Sequence, residues 1–262
     1  MRIFARAQRV IDPPMEHDLD NRACTSVVRS HVGRVRQINE DRLLDCPERC
    51  LWAVADGMGG HRGGDIAAEI VVTALREAAE RPGALRTQDI EAALHRANLR
   101  IREHALSAGG VIGSTVVVLH VADGQACLFW AGDSRGYRLR GAGFEQMTRD
   151  HSLVQELVDA GAITPESAAT HPQANVVTRA LGVEAELLIE KRCFAVRAND
   201  LLLLCSDGLS RSLQNDAGPY GRETNDALAD RLLETALARD GSDNISLVVV
   251  RVQAVADDSL RN

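Results

Sequence analysis

Four aspartates stand in short phrases rich in glycine or serine, which are typical of turns, and they are spread along the chain. They are Asp56 in Ala-Asp-Gly-Met-Gly-Gly-His (55–61), Asp133 in Ala-Gly-Asp-Ser-Arg (131–135), Asp207 in Cys-Ser-Asp-Gly-Leu (205–209) and Asp243 in Gly-Ser-Asp-Asn-Ile (241–245). Each follows or directly precedes an apolar run that is typical of a buried strand. Carboxylates brought together at strand ends suit hard divalent cations, which take oxygen ligands.

The glycines after Asp56 do not form a nucleotide-binding loop. Positions 57, 59 and 62 hold Gly, Gly and Arg instead of the three glycines of a dinucleotide site, and no Walker A lysine-serine pair occurs. We expect the glycines to let the backbone approach a metal, so that a carbonyl ligates beside Asp56.

The elements that position these aspartates are predicted from the spacing of apolar residues. Amphipathic helices are expected at 66–78, 87–108 and 224–239, and short helices within 150–181. Strands are expected at 24–32, 51–55, 114–121, 126–131, 136–140, 187–196, 201–205 and 244–252. Asp123-Gly124 between two apolar runs predicts a hairpin. Because helices and strands do not alternate, antiparallel sheets covered by helices are favoured over a parallel doubly wound sheet.

Composition narrows the class of protein. The chain has 262 residues, is 45% hydrophobic and 3% aromatic, and carries a net charge of −7. This acidic balance argues against a nucleic-acid partner. No apolar stretch is long enough to predict a membrane span, and arginines interrupt the first ten residues, so no signal peptide is expected.

The six cysteines are Cys24, Cys46, Cys50, Cys127, Cys193 and Cys205. Four of them lie within or beside apolar runs, where a thiol behaves as a small hydrophobe. Cys46 and Cys50 form a C-x3-C pair without a second Cys or His pair nearby, so no zinc site is predicted. A cytoplasmic location is therefore expected.

Seven motifs occur together in one order. They are Arg36-x-x-Asn39-Glu-Asp41, Asp56-Gly-Met-Gly-Gly-His61, Gly113-Ser-Thr115, Gly132-Asp-Ser-Arg135, Thr148-Arg-Asp-His-Ser152, Ser206-Asp-Gly208 and Gly241-Ser-Asp-Asn244. This series resembles the metal-dependent protein phosphatases of the type 2C (PPM) family, most closely its compact bacterial members. The resemblance runs from about residue 22 to residue 252. Gly-Ser-Thr and Asn244-Ile-Ser246 replace the more common Gly-Thr-Thr and Asn-x-Thr, and both keep a hydroxyl.

The resemblance implies a role for each matched position. Asp56 corresponds to the carboxylate that bridges two metals, and the Gly57 carbonyl to a ligand of the first metal. Asp207 and Asp243 correspond to ligands of the second metal, and Asp133 to a ligand of a third. The implied cofactors are two or three Mn²⁺ or Mg²⁺ ions, which can activate a bridging water for attack on a phosphoryl group.

Other matched positions are implied to act on the substrate or to support the site. Arg36 corresponds to the arginine that grips the phosphate, which a guanidinium can bind through two hydrogen bonds. His61 corresponds to the histidine proposed to protonate the leaving alkoxide. Glu40, Asp41 and Asn244 correspond to supporting positions.

The resemblance also implies the architecture and the biological setting. The fold class is α+β, with two antiparallel sheets face to face in a four-layer α/β/β/α sandwich. The phosphatase domain is expected at 22–254, between an N-terminal arm (1–21) and a tail (255–262), with a specificity flap at about 150–181. Phosphorylated proteins are the implied substrates and a Ser/Thr kinase the implied partner, with a link to type VI secretion as a further hypothesis. We expect a monomer without a membrane partner.

Two alternatives stay open. Gly132-Asp-Ser-Arg-Gly136 satisfies G-x-S-x-G, the serine-hydrolase nucleophile motif, but that motif needs a strand-turn-helix, whereas Ser134 precedes a strand-like alternation. The second alternative is a phosphoprotein-binding module that has lost catalysis. Such a loss would normally remove metal carboxylates, and all four matched positions are Asp.

Overall fold

The computed structural model describes residues 24–59, 63–108, 110–141, 143–168, 170–213 and 223–253. His61, the predicted arm and the predicted tail lie outside these residues. The strands are β1 (Cys24–His31), β2 (Asp41–Cys46), β3 (Leu51–Met58), β4 (Gly113–Ser114), β5 (Val116–Ala122), β6 (Gln125–Ala131), β7 (Arg135–Arg140), β8 (Gly143–Gln146), β9 (Glu190–Ala195), β10 (Leu201–Cys205) and β11 (Ile245–Val252). The helices are α1 (Gly64–Ala79), α2 (Thr87–Ala108), α3 (Leu153–Asp159), α4 (Pro165–Ala168), α5 (Asp207–Leu213) and α6 (Asn225–Arg239).

The strands form two antiparallel sheets. One has the order β1-β11-β10-β7-β8, and the other has the order β2-β3-β5-β6-β9, with β4 beside the end of β3. The Asp123-Gly124 hairpin is confirmed, since β5 pairs with β6 across it.

The molecule is a sandwich of four layers, namely helices, sheet, sheet and helices. Apolar side chains fill the three interfaces between these layers. Alternate residues of β10 show the pattern, because Leu202 and Leu204 pack between the sheets whereas Leu201 and Leu203 pack against α5 and α6. The opposite sheet packs its outer face against α1 and α2. The predicted α+β class with helices outside two antiparallel sheets is confirmed, and burial of both strand faces explains why the strands are continuous apolar runs.

Two expectations about Asp-Gly pairs need correction. The strand predicted at 51–55 continues through Asp56 and Gly57 as far as Met58. Asp207 and Gly208 do not form a turn but are the first two residues of α5. A Cβ at Gly208 would lie 2.1 Å from the backbone oxygen of Asn244, so glycine is required here by close packing.

The interpretation of cysteines in apolar runs as reduced thiols is wrong for two of them. Cys127 on β6 and Cys193 on β9 lie opposite each other on paired strands and form a disulfide, with Cα atoms 4.1 Å apart. Their sequence separation of 66 hid this pairing in the sequence. Among the described residues, no helix combines the length and apolar character needed to cross a membrane.

Candidate active site

Five buried or half-buried aspartates converge from five separate segments of the chain. Asp56 near the end of β3 lies opposite Asp41 on β2. Asp133 lies in the turn between β6 and β7, Asp207 opens α5, and Asp243 comes just before β11. Burial raises the pKa of Asp56 well above its ordinary value, and the negative charges of Asp41, Asp207, Asp133 and Asp243 raise it further. The structure therefore brings together all four aspartates that the sequence singled out.

Backbone contacts fix the position of Asp56. Its carbonyl oxygen accepts hydrogen bonds from the Thr115 amide at 2.9 Å and the Ser114 hydroxyl at 3.2 Å. A Cβ on the next residue, Gly57, would lie 2.0 Å from the backbone oxygen of Gly64 at the start of α1. In the described structure, position 57 therefore needs glycine because the start of α1 packs closely against it.

Asp207 and Asp243 each form an ion pair with an arginine. Arg36 Nη2 lies 2.9 Å from Asp243 Oδ2, and its side chain is 51% exposed at the rim of the cluster. Asp243 is the main cause of the raised pKa of Arg36. Arg211, four residues after Asp207 on α5, forms an ion pair with Asp207. Arg36 therefore presents an exposed cation directly beside the carboxylates.

Asn244 ties the Arg36 loop to the start of β11. Its amide oxygen accepts a hydrogen bond from the Glu40 backbone at 2.8 Å. Its amide nitrogen donates to the carbonyls of Val32 at 2.9 Å and Ile38 at 3.0 Å. Glu40 itself accepts a hydrogen bond from the Gly64 backbone, and burial raises the pKa of the Glu40 carboxyl. Glu40 and Asn244, two of the three predicted supporting residues, thus contact the segments that carry the site.

Asp41 lies beneath the cluster in a network of hydroxyl groups. Burial raises its pKa to about 7, although hydrogen bonds from Ser246 and Ser206 oppose this shift. The Ser206 hydroxyl donates to Asp41 Oδ2 at 2.9 Å, whereas Oδ1 is buried without a hydrogen-bond partner. A buried acceptor without a donor is costly unless a cation or water serves it.

A cavity of about 360 Å³ connects the cluster to the flap. Asp133, Asp207 and Arg211 line one side, and Val154, Val158 and Pro165 of the flap line another. Burial, together with the charges of Asp207 and Asp150, raises the pKa of Asp133 to about 7. The predicted third-metal position therefore borders the predicted specificity element.

His151 links the flap to the turn that carries Asp133. Its Nδ1 accepts a hydrogen bond from the Gly132 amide at 3.1 Å, and its backbone amide donates to the Gly132 carbonyl at 2.9 Å. Since Nδ1 is an acceptor, Nε2 carries the proton and donates to Glu190 at 3.0 Å. The His151 carbonyl accepts from the Thr178 amide in the flap at 2.8 Å.

Sequence reasoning gave no role to His151, Arg211 or Ser206. The i, i+4 spacing of Asp207 and Arg211 would have indicated their ion pair only if α5 had been predicted. Ser134, the alternative nucleophile, is buried, shares a hydrogen bond with the Thr115 hydroxyl at 2.8 Å and precedes β7. The strand-turn-helix context that a serine hydrolase needs is therefore replaced by a strand-turn-strand.

The donor chemistry of the site fits Mn²⁺ or Mg²⁺. Within the described residues no three acidic, histidine or cysteine side chains form a ready-made ligand group around one point. The aspartates are nevertheless close enough to raise one another's pKa, and two of them are paired with arginines. Buried carboxylates, one of which has an oxygen without a hydrogen-bond partner, need nearby positive charge. Carboxylate oxygens are ligands that hard divalent cations prefer.

Comparison with known proteins identifies the family. The model for protein phosphatase 2C matches residues 29–240. The serine/threonine phosphatase stp of Listeria innocua is 35% identical over 236 residues, which cover 85% of this chain and 93% of that protein. The structure of PppA, described as a key regulatory component of T6SS in Pseudomonas aeruginosa, is 41% identical with a TM-score of 0.79, covering 87% of this chain and 97% of that one.

A third relative was solved with metal. The catalytic domain of the serine/threonine protein phosphatase PstP, in complex with two manganese ions, is 34% identical with a TM-score of 0.80, covering 88% of this chain and 99% of that one. The chain therefore belongs to the protein phosphatase 2C family, the metal-dependent serine/threonine protein phosphatases.

Proposed function

We propose that this protein hydrolyses phosphoserine and phosphothreonine in protein substrates, with Mn²⁺ or Mg²⁺ as cofactor. The observation that carries this proposal is the convergence of five aspartates with the exposed Arg36 at their rim. A phosphomonoester is an anion that hydrolyses very slowly in water, so it needs both positive charge and an activated nucleophile.

We assign the aspartates to different metal ions. Asp56 would help to hold two ions, together with the Gly57 carbonyl for the first and with Asp207 and Asp243 for the second. Asp133 is assigned to a third ion beside the flap cavity. Bound Mn²⁺ or Mg²⁺ supplies Lewis acidity, lowers the pKa of water and stabilises phosphoryl oxygens.

Arg36 is assigned to the substrate phosphate. Its ion pair with Asp243 holds the guanidinium beside the carboxylate cluster, and its half-exposed side chain can offer further N–H donors to phosphate oxygens. His61, outside the described residues, stays the predicted proton donor to the leaving serine or threonine oxygen.

The flap at about 150–181 is proposed to select among protein substrates. It supplies one wall of the cavity beside Asp133, so a peptide that enters the site would meet its side chains. Removing the flap should therefore change preference among phosphoproteins more than it changes hydrolysis of para-nitrophenyl phosphate.

The wider setting is proposed from the relatives. The name of the serine/threonine phosphatase stp supports a role that opposes a Ser/Thr kinase of the same cell. A cytoplasmic monomer with a 22–254 catalytic domain is part of the same proposal. The likeness to PppA supports a role in regulating type VI secretion. A phosphoproteome of cells that lack this chain would test both the substrates and this link.

The decisive experiment is hydrolysis of a phosphothreonine peptide by the purified chain at millimolar Mn²⁺. Turnover should disappear with a chelator, and Asp207→Asn should lower kcat/KM by roughly 10³-fold, since several kcal/mol of charge stabilisation are lost. Asp230→Asn, the same change at an exposed carboxylate on α6, is the control. Binding of the peptide without any turnover would instead support the phosphoprotein-binding module.

A further inference from the structure

Two cysteines from different sheets lie in contact, at the strand ends opposite those that carry the active-site aspartates. Cys24 opens β1 in one sheet, and Cys50 immediately precedes β3 in the other. Their thiols are hydrogen-bonded to each other. Both side chains are half-buried and pack at the margin of the apolar layer between the sheets. Solvent can therefore reach a thiol pair whose sulfur atoms are already adjacent.

The backbone holds Cys50 in an unusual conformation. Its φ of 47° and ψ of 43° lie in the left-handed region, which residues other than glycine seldom adopt. Hydrogen bonds fix this turn on both sides, because the Cys50 amide donates to the Pro47 carbonyl and the Val121 amide donates to the Cys50 carbonyl, each at 3.0 Å. Such local strain often marks a functional position.

The chemical environment separates Cys50 from the other thiols. Of the four cysteines outside the disulfide, all in the described part of the chain, only Cys50 has a lowered pKa, about 7, because the Cys24 thiol donates a hydrogen bond to it. Burial raises the pKa of Cys46 to about 12 and raises that of Cys205 as well. A partly exposed thiolate with a second thiol beside it is the arrangement found in oxidation-sensitive pairs.

We propose that Cys24 and Cys50 are a reversible oxidation site that forms an intramolecular disulfide with hydroperoxides. The proposal rests on the contact between the two thiols, their partial exposure and the fixed left-handed turn at Cys50. It does not depend on the phosphatase reaction.

The reaction takes two electrons from the thiol pair. The Cys50 thiolate attacks the terminal oxygen of the hydroperoxide, so the O–O bond breaks, an alcohol or water leaves after protonation, and Cys50 becomes a sulfenic acid. The Cys24 sulfur then attacks the Cys50 sulfur, the S–O bond breaks, and water leaves with the Cys24 proton. Two thiols are oxidised to one disulfide while one hydroperoxide is reduced. A dithiol reductant reverses the step by thiol–disulfide exchange.

The new bond would tie the two sheets together at the ends of their strands away from the active site. β1 runs from Cys24 toward the Arg36 loop, and β3 runs from Cys50 toward Asp56. Closing the chain between residues 24 and 50 restricts the unfolded state, so oxidation should raise Tm by several degrees. Since the crosslink lies at the opposite strand ends, we expect phosphatase activity to change less than twofold.

The test is peptide mapping of the full chain without reduction, before and after treatment with hydrogen peroxide. We expect a Cys24–Cys50 crosslinked peptide that has lost two hydrogen atoms, and its return to thiols on mild reduction. Cys24→Ser should stop at the Cys50 sulfenic acid, which dimedone captures, whereas Cys50→Ser should give neither product. Cys46→Ser, a matched change in the same turn region, should form the crosslink as the parent does.

Two results would overturn the proposal. One is an unmodified Cys24–Cys50 pair at peroxide doses that oxidise the half-buried Met58. The other is crosslinking of Cys50 to Cys46 in place of Cys24. If either serine variant folds poorly, the parent chain alone decides the matter, because the absence of a reducible Cys24–Cys50 crosslink after peroxide treatment would contradict the assignment.

Discussion

Asn244 connects the Arg36 loop to the carboxylate cluster through a single amide group. It receives one backbone hydrogen bond and donates two, all within the segment 32–40. The adjacent Asp243 pairs with Arg36 itself. The position of the arginine relative to the aspartates is therefore set by two successive residues before β11.

Replacing Asn244 by Ala should weaken both the fold and substrate binding. The loss leaves two carbonyls and one amide without partners and should cost about 1–3 kcal/mol of stability. KM for a phosphopeptide should rise because the Arg36 loop loses its anchor. Asn98→Ala is the control, since Asn98 holds the 182–185 turn through the same kind of bonds. A stability loss in Asn244→Ala without a change in KM would contradict the positioning role.

Replacing Arg36 by Lys separates charge from geometry. Lysine keeps the positive charge but cannot form two parallel hydrogen bonds with a phosphate. We expect kcat/KM to fall roughly 10–100-fold, which corresponds to the loss of one hydrogen bond between charged groups. Arg34→Lys in the same loop should keep kcat/KM within about twofold, as a conservative change at a residue to which no catalytic role is assigned. Full kcat/KM in Arg36→Lys would mean that the arginine acts only through its charge, and equal losses in the two variants would mean that both act through the structure of the loop.

At the scale of elements, the segment proposed as the flap and the aspartate cluster share one anchor. His151 Nδ1 accepts a hydrogen bond from the Gly132 amide, and His151 Nε2 donates one to Glu190, the first residue of β9. Its ring stacks on Trp130 with centroids 6.3 Å apart. The turn that carries Asp133 is thus held by the residue from which the flap begins.

His151→Ala should weaken metal binding at Asp133. Removing a residue that hydrogen-bonds to the segment carrying a metal ligand typically lowers metal affinity about 10–100-fold. Titration of Mn²⁺ by calorimetry should show one weakened class of sites, with the tighter sites retained. In an Asp133→Asn background the same substitution should have no further effect on Mn²⁺ binding. An additive loss in the double variant would mean that His151 acts through general stability.

Elements with a regular apolar period could be predicted, whereas features that depend on contacts between distant segments could not. The i, i+3, i+4 spacing of apolar residues such as Ala67, Ile70 and Val71 predicted α1 almost to its ends, and Asp123-Gly124 predicted its hairpin. By contrast, Gly208 looked like a turn residue, because its contact with Asn244 is invisible in sequence. The Cys127–Cys193 disulfide likewise depends on the pairing of β6 with β9.

At the scale of the whole molecule, the sandwich collects negative charge at one end of its apolar core. Asp41 and Asp56 come from one sheet, and Asp207 and Asp243 adjoin strands of the other. The apolar layer between the sheets brings these strand ends together. Folding therefore confines carboxylates that repel one another, and this repulsion must be offset by hydrophobic burial or by bound cations.

This confinement predicts how stability depends on pH when a chelator is present. Burial raises the pKa of Asp41 and of Asp133 from 3.8 to about 7. The folded chain then holds protons that the unfolded chain releases, so the stability they contribute is complete below pH 3.8 and is lost as pH rises through about 7. Tm in chelator should fall by several degrees between about pH 5 and pH 8.

Millimolar Mn²⁺ should reverse that trend, since cations bind the deprotonated carboxylates of the folded chain and stabilise it more as pH rises. The gap between Tm with Mn²⁺ and Tm with chelator should therefore widen from pH 5 to pH 8. Asp133→Asn removes one of the titrating groups and should flatten the chelator curve, whereas Asp230→Asn at an exposed site should leave its slope unchanged. A chelator curve that rises over this range would contradict the raised pKa values, because it would mean that the buried aspartates are stabilised as anions by the protein alone.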